Sequence, residues 1–300
     1  MQTIPGNLTM ALTAAEISAR NSQAEYRFLQ KIFTEPQYTS RFTIDPSLLS
    51  LNRYSNVPVY GDNLASLQLG PLSSTNYFNA GFVKTFPLNG DSAPIIASEA
   101  PLPKQFPNFF KLLCGLKVSL VLVLVEPSEL GSKFDQYWPQ AGTSTSLGGY
   151  TVSSSEIRIE GALNFLELSL LAPSTLTPHH LSLIHFTAWR DHHIPSTEHF
   201  FSLFKMCQKM EEKVEARAGP ILIHCSAGVG RTGTLIGAFF LYRRLLECRK
   251  LGEPFTFSIF SLAKHIREHR FWALGEVQYQ FLYDFAAFLD STANNVNNAL

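Results

Sequence analysis

At 300 residues the chain is long enough for one large core or two small ones, and 45% hydrophobic with 16% charged side chains exclude disorder over most of its length. Its 24 Lys and Arg balance 24 Asp and Glu, so bulk charge offers no basis for binding nucleic acid or an acidic membrane. The longest apolar run, Val118 to Val125, is far too short to span a bilayer, and no membrane insertion is expected.

In chain order, Thr13-Ala14-Ala15-Glu16 has the spacing of a capping box and predicts a helix reaching about Phe33, ended by Pro36. Strand-like segments fill much of 57 to 187, with Val118 to Val125 reading as a buried strand. The Ser/Thr/Gly-rich stretch from Gly142 to Ser155 reads as a hairpin loop rather than a linker, because alternation resumes in Glu156-Ile157-Arg158-Ile159-Glu160. A helix is expected from about Thr197, with Phe200, Phe204, Cys207, Met210 and Val214 at helical spacing and a stop at Gly219-Pro220. Pro220 to Ile223 reads as a short buried strand and Thr234 to Leu241 as an apolar helix. Two more helices follow, near Ser258 to Arg270 and Glu276 to Leu289, before an Asn-rich tail expected to fray after Asp290. This mixture predicts an α/β domain with its functional loop at strand carboxyl ends. No internal repeat is visible.

Four cysteines, Cys114, Cys207, Cys225 and Cys248, show neither Cys-x-x-Cys nor zinc spacing. The histidines at 179–180, 185 and 192–193 lack cysteine partners and a helical His-x-x-x-His, so no metal and no cofactor are expected. Met1 to Ala15 lacks a basic stretch followed by an apolar core, so a cleaved secretory leader is not expected.

The stretch that carries chemistry is His224-Cys225-Ser226-Ala227-Gly228-Val229-Gly230-Arg231-Thr232-Gly233. It runs from a strand end into a helix N-terminus, where unpaired amides and the positive end of the helix dipole favour an anion. A cysteine attacks phosphorus as the thiolate, and its ordinary pKa of ~8.5 leaves little thiolate at neutral pH unless the surroundings lower it. Gly228 and Gly230 let the backbone curl with its amides inward, so that residues 226 to 230 cradle a phosphate. Arg231 adds a planar fork for two phosphate oxygens. Thr232 is placed to donate its hydroxyl to the Cys225 sulfur, and His224 to support the loop by a buried hydrogen bond. A nucleotide-binding P-loop is the competing phosphate cradle, but it needs a Lys that this loop lacks. A reactive thiolate also needs reducing surroundings, which points to the cytoplasm.

The decapeptide resembles the signature of the cysteine-dependent protein tyrosine phosphatases, and further segments resemble that family in the same order from roughly Glu25 to Leu289. Asn52-Arg53-Tyr54-Ser55-Asn56-Val57 resembles its phosphotyrosine-recognition loop, which implies that Tyr54 flanks the substrate ring and Asn56 bonds the substrate backbone. Tyr77 to Val83 and Pro94 to Leu102 resemble its core segments. Lys133-Phe134-Asp135-Gln136-Tyr137-Trp138-Pro139 resembles a loop whose Lys133 would help position the acid loop. His185 to Asp191 resembles the mobile acid loop, with Trp189 as support and Asp191 as the proton donor. Gln278-Tyr279-Gln280-Phe281 resembles the end of the loop that positions the hydrolytic water, Gln278 being the residue concerned. The resemblance implies a single catalytic domain over 1–300, flexible at 1–12 and 291–300, with a central, highly twisted mixed β-sheet flanked by helices. It implies hydrolysis of phosphotyrosine in proteins through a phosphocysteine intermediate.

Three positions depart from the family pattern. Arg190 stands in place of proline and His193 in place of glycine, so the acid loop lacks its usual stiffener and hinge, and a cation at 190 is expected to hold Asp191 as the carboxylate. Leu274 stands where the first water-positioning glutamine is usual. A phosphotyrosine-binding module with impaired turnover is therefore the alternative reading. A phosphoinositide phosphatase is a third, disfavoured because Ser226, Ala227 and Val229 add no positive charge. The sequence does not indicate an oligomeric state.

Overall fold

The computed structural model describes residues 4–6, 13, 21–86, 95–196, 199–206 and 219–296. Its centre is a sheet of nine strands among these residues: β1 (Ala80–Val83), β2 (Ile95–Ser98), β3 (Leu120–Val123), β4 (Ser144–Leu147), β5 (Tyr150–Ser154), β6 (Arg158–Glu160), β7 (Leu163–Leu171), β8 (His179–Phe186) and β9 (Ile221–His224). The spatial order is β1-β2-β9-β3-β8-β7-β5-β4, with β6 on β7. The run β2-β9-β3-β8 is parallel and the pairs outside it are antiparallel. The sheet is therefore mixed, as expected.

β9 occupies the middle of the parallel run. Ile221 pairs with Ile95 and Leu120, and His224 with Ser98 and Val123. All four of its residues are buried, which is why its sequence is a continuous apolar run rather than an alternating one. The strand delivers Cys225 to the carboxyl edge of the sheet, and the chain turns at once into α3.

The longer helices among the described residues are α1 (Ser22–Ile32), α2 (Phe106–Gly115), α3 (Gly230–Leu251), α4 (Ile259–His269) and α5 (Glu276–Val296), with residues 199–206 also helical. In α1, Glu25, Tyr26, Leu29 and Ile32 form one buried face. Tyr279 and Tyr283 of α5 both donate to the Glu25 carboxylate beneath it. Phe109 of α2 meets Tyr137 edge-on at 4.8 Å, carrying the core up to the nucleophile strand.

Several boundaries differ from expectation. The described helix α1 begins at Ser22 and is capped by Asn21, whose side chain accepts the Ala24 amide at 3.0 Å; residues 14–20, on which the capping box expected from Thr13 to Glu16 falls, lie outside the described residues. The stretch 142–155 is itself a hairpin of β4 and β5, closed by Gly148 and Gly149 at φ +57° and +80°. Both turn residues need positive φ in such a two-residue turn, and the Ser and Thr of the exposed strand β4, with Ser154 at a buried position of β5, masked the period-two pattern. The alternation at 156–160 marks an exposed edge strand, not a half-buried one, with Ile159 62% exposed. Phe200 and Phe204 are buried as their spacing implied, while Cys207, Met210 and Val214 lie outside the described residues. The last helix continues through Val296 instead of fraying at Asp290.

Candidate active site

Cys225 is 3% exposed at the floor of a cleft of about 380 Å³. The cleft's lining includes Tyr26, Tyr54, Lys133, Asp191, Trp272 and Gln278 together with loop residues 225–227 and 229–231. Five successive loop carbonyls are turned away from it. Cys225 O faces His224 Nδ1 at 3.0 Å, and Ser226 O accepts the Ala100 amide at 2.9 Å. Ala227 O and Gly228 O accept Nη2 and Nε of Arg270, each at 2.9 Å. Val229 O accepts the amides of Gly233 and Leu274. With the carbonyls held outside, the peptide planes aim their N–H groups at the space above the sulfur, and α3 adds its N-terminus.

Two glycines make that curl feasible. Gly228 has φ +70°, and a Cβ there would lie 2.0 Å from Ser98 O. A Cβ on Gly230 would lie 2.9 Å from the Gln278 amide group. His224 is fully buried, and burial pushes its pKa down to about 3. Its Nδ1 points at a carbonyl and must carry the proton, so Nε2 accepts from Tyr137 Oη at 2.9 Å. His224 is therefore a neutral strut under the loop.

Arg231 is 1% exposed. Its Nη1 and Nη2 donate to Glu129 at 2.6 and 3.1 Å, Nη1 also reaches Trp189 O at 2.9 Å, and Nη2 lies 3.3 Å from Asp191 Oδ1. Nε has no partner. An unpaired donor on a buried guanidinium costs free energy unless an acceptor arrives, so the cleft is built to receive one. Burial lowers the Arg231 pKa, but Cys225, Glu129 and Asp191 outweigh burial and the net direction is upward. The Thr232 hydroxyl is likewise buried and unpartnered. The hydrogen bond to Cys225 expected from the sequence is not formed.

The acid loop lies against this group. Trp189 is buried, edge-on to Phe200 at 5.5 Å, and its Nε1 donates to His193 O at 2.8 Å. Asp191 is bonded by Lys133 Nζ, and His192 Nε2 stands 3.4 Å away. Burial raises the Asp191 pKa, but the Lys133 bond and the charges of Arg231, His192 and Lys133 outweigh it, leaving it below the usual carboxylate range. The sequence anticipated that direction from a lesser residue: Arg190 is exposed and is not among the leading charges acting on Asp191. The left-handed residue of this loop is His192 at φ +58°, not His193.

Tyr54 forms a wall of the cleft, its hydroxyl 2.7 Å from Ser226 Oγ. Ser226 Oγ gives its own proton to Lys133 O at 2.6 Å, so Tyr54 is the donor of that pair. Asn56 is exposed and outside the cleft lining. Gln278 lines the cleft with its Oε1 taken by the Gly275 amide at 2.7 Å. Leu274 has φ +70°, its carbonyl accepting from Tyr26 Oη and Arg267 Nη2.

Sequence reasoning overlooked Glu129, Arg270, Glu99, Tyr26 and Trp272. Glu99 carried a usable signal, as a lone charge inside the buried run Ile95 to Pro101. Glu129 did not, since Glu126-Pro127-Ser128-Glu129 also forms a reciprocal cap, with Glu129 Oε2 accepting the Glu126 amide at 2.9 Å. Among the described residues no group of three or more His, Cys, Asp or Glu could hold a metal, and no helix is long and apolar enough to cross a membrane.

A buried cysteine at a helix N-terminus, inside an amide-lined cleft closed by arginine and faced by a carboxylate, defines the class of cysteine-dependent phosphatases. Comparison with known proteins agrees. Residues 49–288 match the family model described as protein-tyrosine phosphatase. The chain is 28% identical over 261 residues to the human receptor-type tyrosine-protein phosphatase eta, covering 86% of this chain and 18% of that protein. It is 31% identical over 211 residues to the mouse tyrosine-protein phosphatase non-receptor type 4, covering 70% and 22%. A solved structure of PTPN18 superposes with a TM-score of 0.76 at 21% identity, covering 92% of this chain and 98% of that one. The Trypanosoma cruzi phosphatase TcPTP1 superposes at 0.67 and 24% identity, covering 90% and 95%. The chain thus belongs to the protein-tyrosine phosphatase family, and it spans about a fifth of the length of the first curated relatives it matches.

Proposed function

We propose that this domain hydrolyses phosphotyrosine in proteins by two in-line displacements at phosphorus. The Cys225 thiolate attacks, the bond from phosphorus to the tyrosyl oxygen breaks, and Asp191 delivers its proton to that oxygen. Water then attacks the phosphocysteine, Asp191 takes the water proton, and the sulfur leaves as thiolate. Arg231 and the amides of residues 226–231 supply the positive charge for the equatorial oxygens. The observation that carries this reading is the buried, unpartnered Nε of Arg231 beside Cys225.

The substrate class follows from the cleft. Its floor is the sulfur and its walls include Tyr54 and Trp272, so an aryl ring suits it and a shorter phosphoserine would not reach. A solved structure of PTPN18 carries phosphopeptides of HER2, which supports the same class here by likeness of fold. A reduced thiolate fits signalling work in the cytoplasm.

Leu274 favours one rival, a phosphotyrosine binder with poor turnover. Vanadate-sensitive hydrolysis of para-nitrophenyl phosphate and of a phosphotyrosyl peptide by the parent, absent in Cys225→Ser, supports the enzyme. Retention of phosphopeptide without turnover by the parent supports the binder, and faster turnover of inositol phospholipids than of phosphopeptide overturns both.

A further inference from the structure

Glu99 is 1% exposed and sits just past the end of β2, where three parts of the site converge. Both of its oxygens accept the Arg53 amide, at 3.1 and 3.0 Å, with the Tyr54 amide alongside. Its own amide donates to Asn79 O at 3.1 Å, and the next residue, Ala100, donates to Ser226 O. Gly228 presses on the same backbone, since a Cβ there would stand 2.7 Å from Glu99 N. Two cations act on it, Arg53 and, more strongly, Arg270, itself 1% exposed, which grips Ala227 O, Gly228 O and Asn79 Oδ1 and is also coupled to Cys225. Arg53 spends its guanidinium on Ala100 O, Pro101 O and Asp135.

We propose that Glu99 is a positioning residue that ties the Tyr54 loop to the nucleophile loop, and that its ionisation sets how much of the Arg270 charge remains to attract a phosphoryl group. When Glu99 is neutral, the Arg270 cation acts uncompensated under the loop. When it ionises, the carboxylate cancels part of that field and phosphotyrosine binds less tightly. The charged and titratable groups facing it are Arg53, Arg270 and Tyr77, with Cys225 acting through Arg270. Burial raises the Glu99 pKa to about 8, against the amides of Arg53 and Tyr54 and the charges of Arg270 and Arg53, which places the change in an accessible range.

This inference rests on the phosphotyrosine reading, and one titration separates the two. In a Cys225→Ser background, which removes the thiol from the titration, a fluorescent phosphotyrosyl peptide is bound at pH 6.5 to 9 with Glu99 present and with Glu99→Gln. With Glu99 the Kd is expected to rise by roughly three- to tenfold across the range, while Glu99→Gln holds a flat profile. Superimposable profiles overturn the role of Glu99 and leave the phosphotyrosine reading intact. No binding at any pH overturns both. Should Glu99→Gln not fold, the profile with Glu99 decides alone, a constant Kd overturning the proposal and a rising one supporting it.

Discussion

Glu129 takes both terminal nitrogens of Arg231, at 2.6 and 3.1 Å, and so fixes the plane of the guanidinium while Nε stays unpaired beside Cys225. The carboxylate comes from the loop after β3 and the guanidinium from the first turn of α3, so the pair also locks two elements together. Glu129→Ala leaves a buried cation without its partner. It is expected to cost about 3 kcal/mol of stability and on the order of 100-fold in kcat/KM for an aryl phosphate. Glu129→Gln keeps one acceptor and should fall between. Urea unfolding and steady-state kinetics check both, and parental turnover in Glu129→Ala would show that Arg231 holds its plane unaided.

Asp191 must carry a proton to release tyrosine, yet burial, which pushes its pKa up, is outweighed by the Lys133 bond and by Arg231, His192 and Lys133 charges. A carboxyl held low is protonated only at low pH, so the alkaline limb of kcat/KM is expected early. Removing a stabilising cation raises that pKa, so Lys133→Met should move the limb upward. Arg190→Ala should move it far less, because Arg190 is exposed and stands outside the groups that act most on Asp191. The same depression contributes stability that is present above the unfolded pKa and lost as pH falls through the folded one. Asp191→Asn should lose roughly 10²–10⁴ in kcat with phosphotyrosine and less with para-nitrophenyl phosphate, whose leaving group needs little help.

Gly228 and Arg270 together keep the loop amides inward. Gly228→Ala adds a left-handed alanine whose Cβ meets Ser98 O at 2.0 Å. Arg270→Met strips two carbonyls of their donors. Each is expected to cost about 2 kcal/mol or more and to abolish most of the thermal stabilisation that phosphate or vanadate confers. Melting with and without the oxyanion tests this; an undiminished shift in either variant would refute the account of the loop.

What the sequence made legible was whatever one local stretch encodes. The decapeptide placed Cys225 between a buried strand and a helix, and β9 and α3 lie on either side of it. Residues whose work depends on distant partners were silent. Arg270 stands 42 positions from Gly228 in the chain yet donates to its carbonyl, and nothing in the residues around it distinguishes that role from an ordinary helix-end cation. Arg190 misled for the complementary reason: adjacency in sequence implied a strong influence on the carboxylate, whereas Arg190 is exposed and the groups that act most on Asp191 come from elsewhere, Lys133 and Arg231 foremost among the cations. The hairpin of β4 and β5 was hidden because β4 is exposed along most of its length and carries no apolar alternation, while β5 places a serine, Ser154, at a buried position.

The last prediction concerns the second chemical step. A leucine side chain cannot orient water, and Leu274 contributes its backbone instead, donating its amide to Val229 O and accepting from Tyr26 and Arg267. Gln278 packs over Gly230 with Oε1 fixed by the Gly275 amide, which leaves its Nε2 as the group able to hold a water near the sulfur. Gln278→Ala is therefore expected to slow hydrolysis of the phosphocysteine on the order of tenfold, leaving the first displacement untouched. Rapid mixing with para-nitrophenyl phosphate should then show a burst of about one nitrophenolate per site followed by slow turnover. Leu274→Gln, which restores an amide side chain at this bend, should raise steady turnover if water positioning limits the parent. If Gln278→Ala shows no burst and keeps parental kcat, water is placed by another group and Tyr26, with its hydroxyl 3.2 Å from Leu274 O on the cleft wall, becomes the residue to replace next.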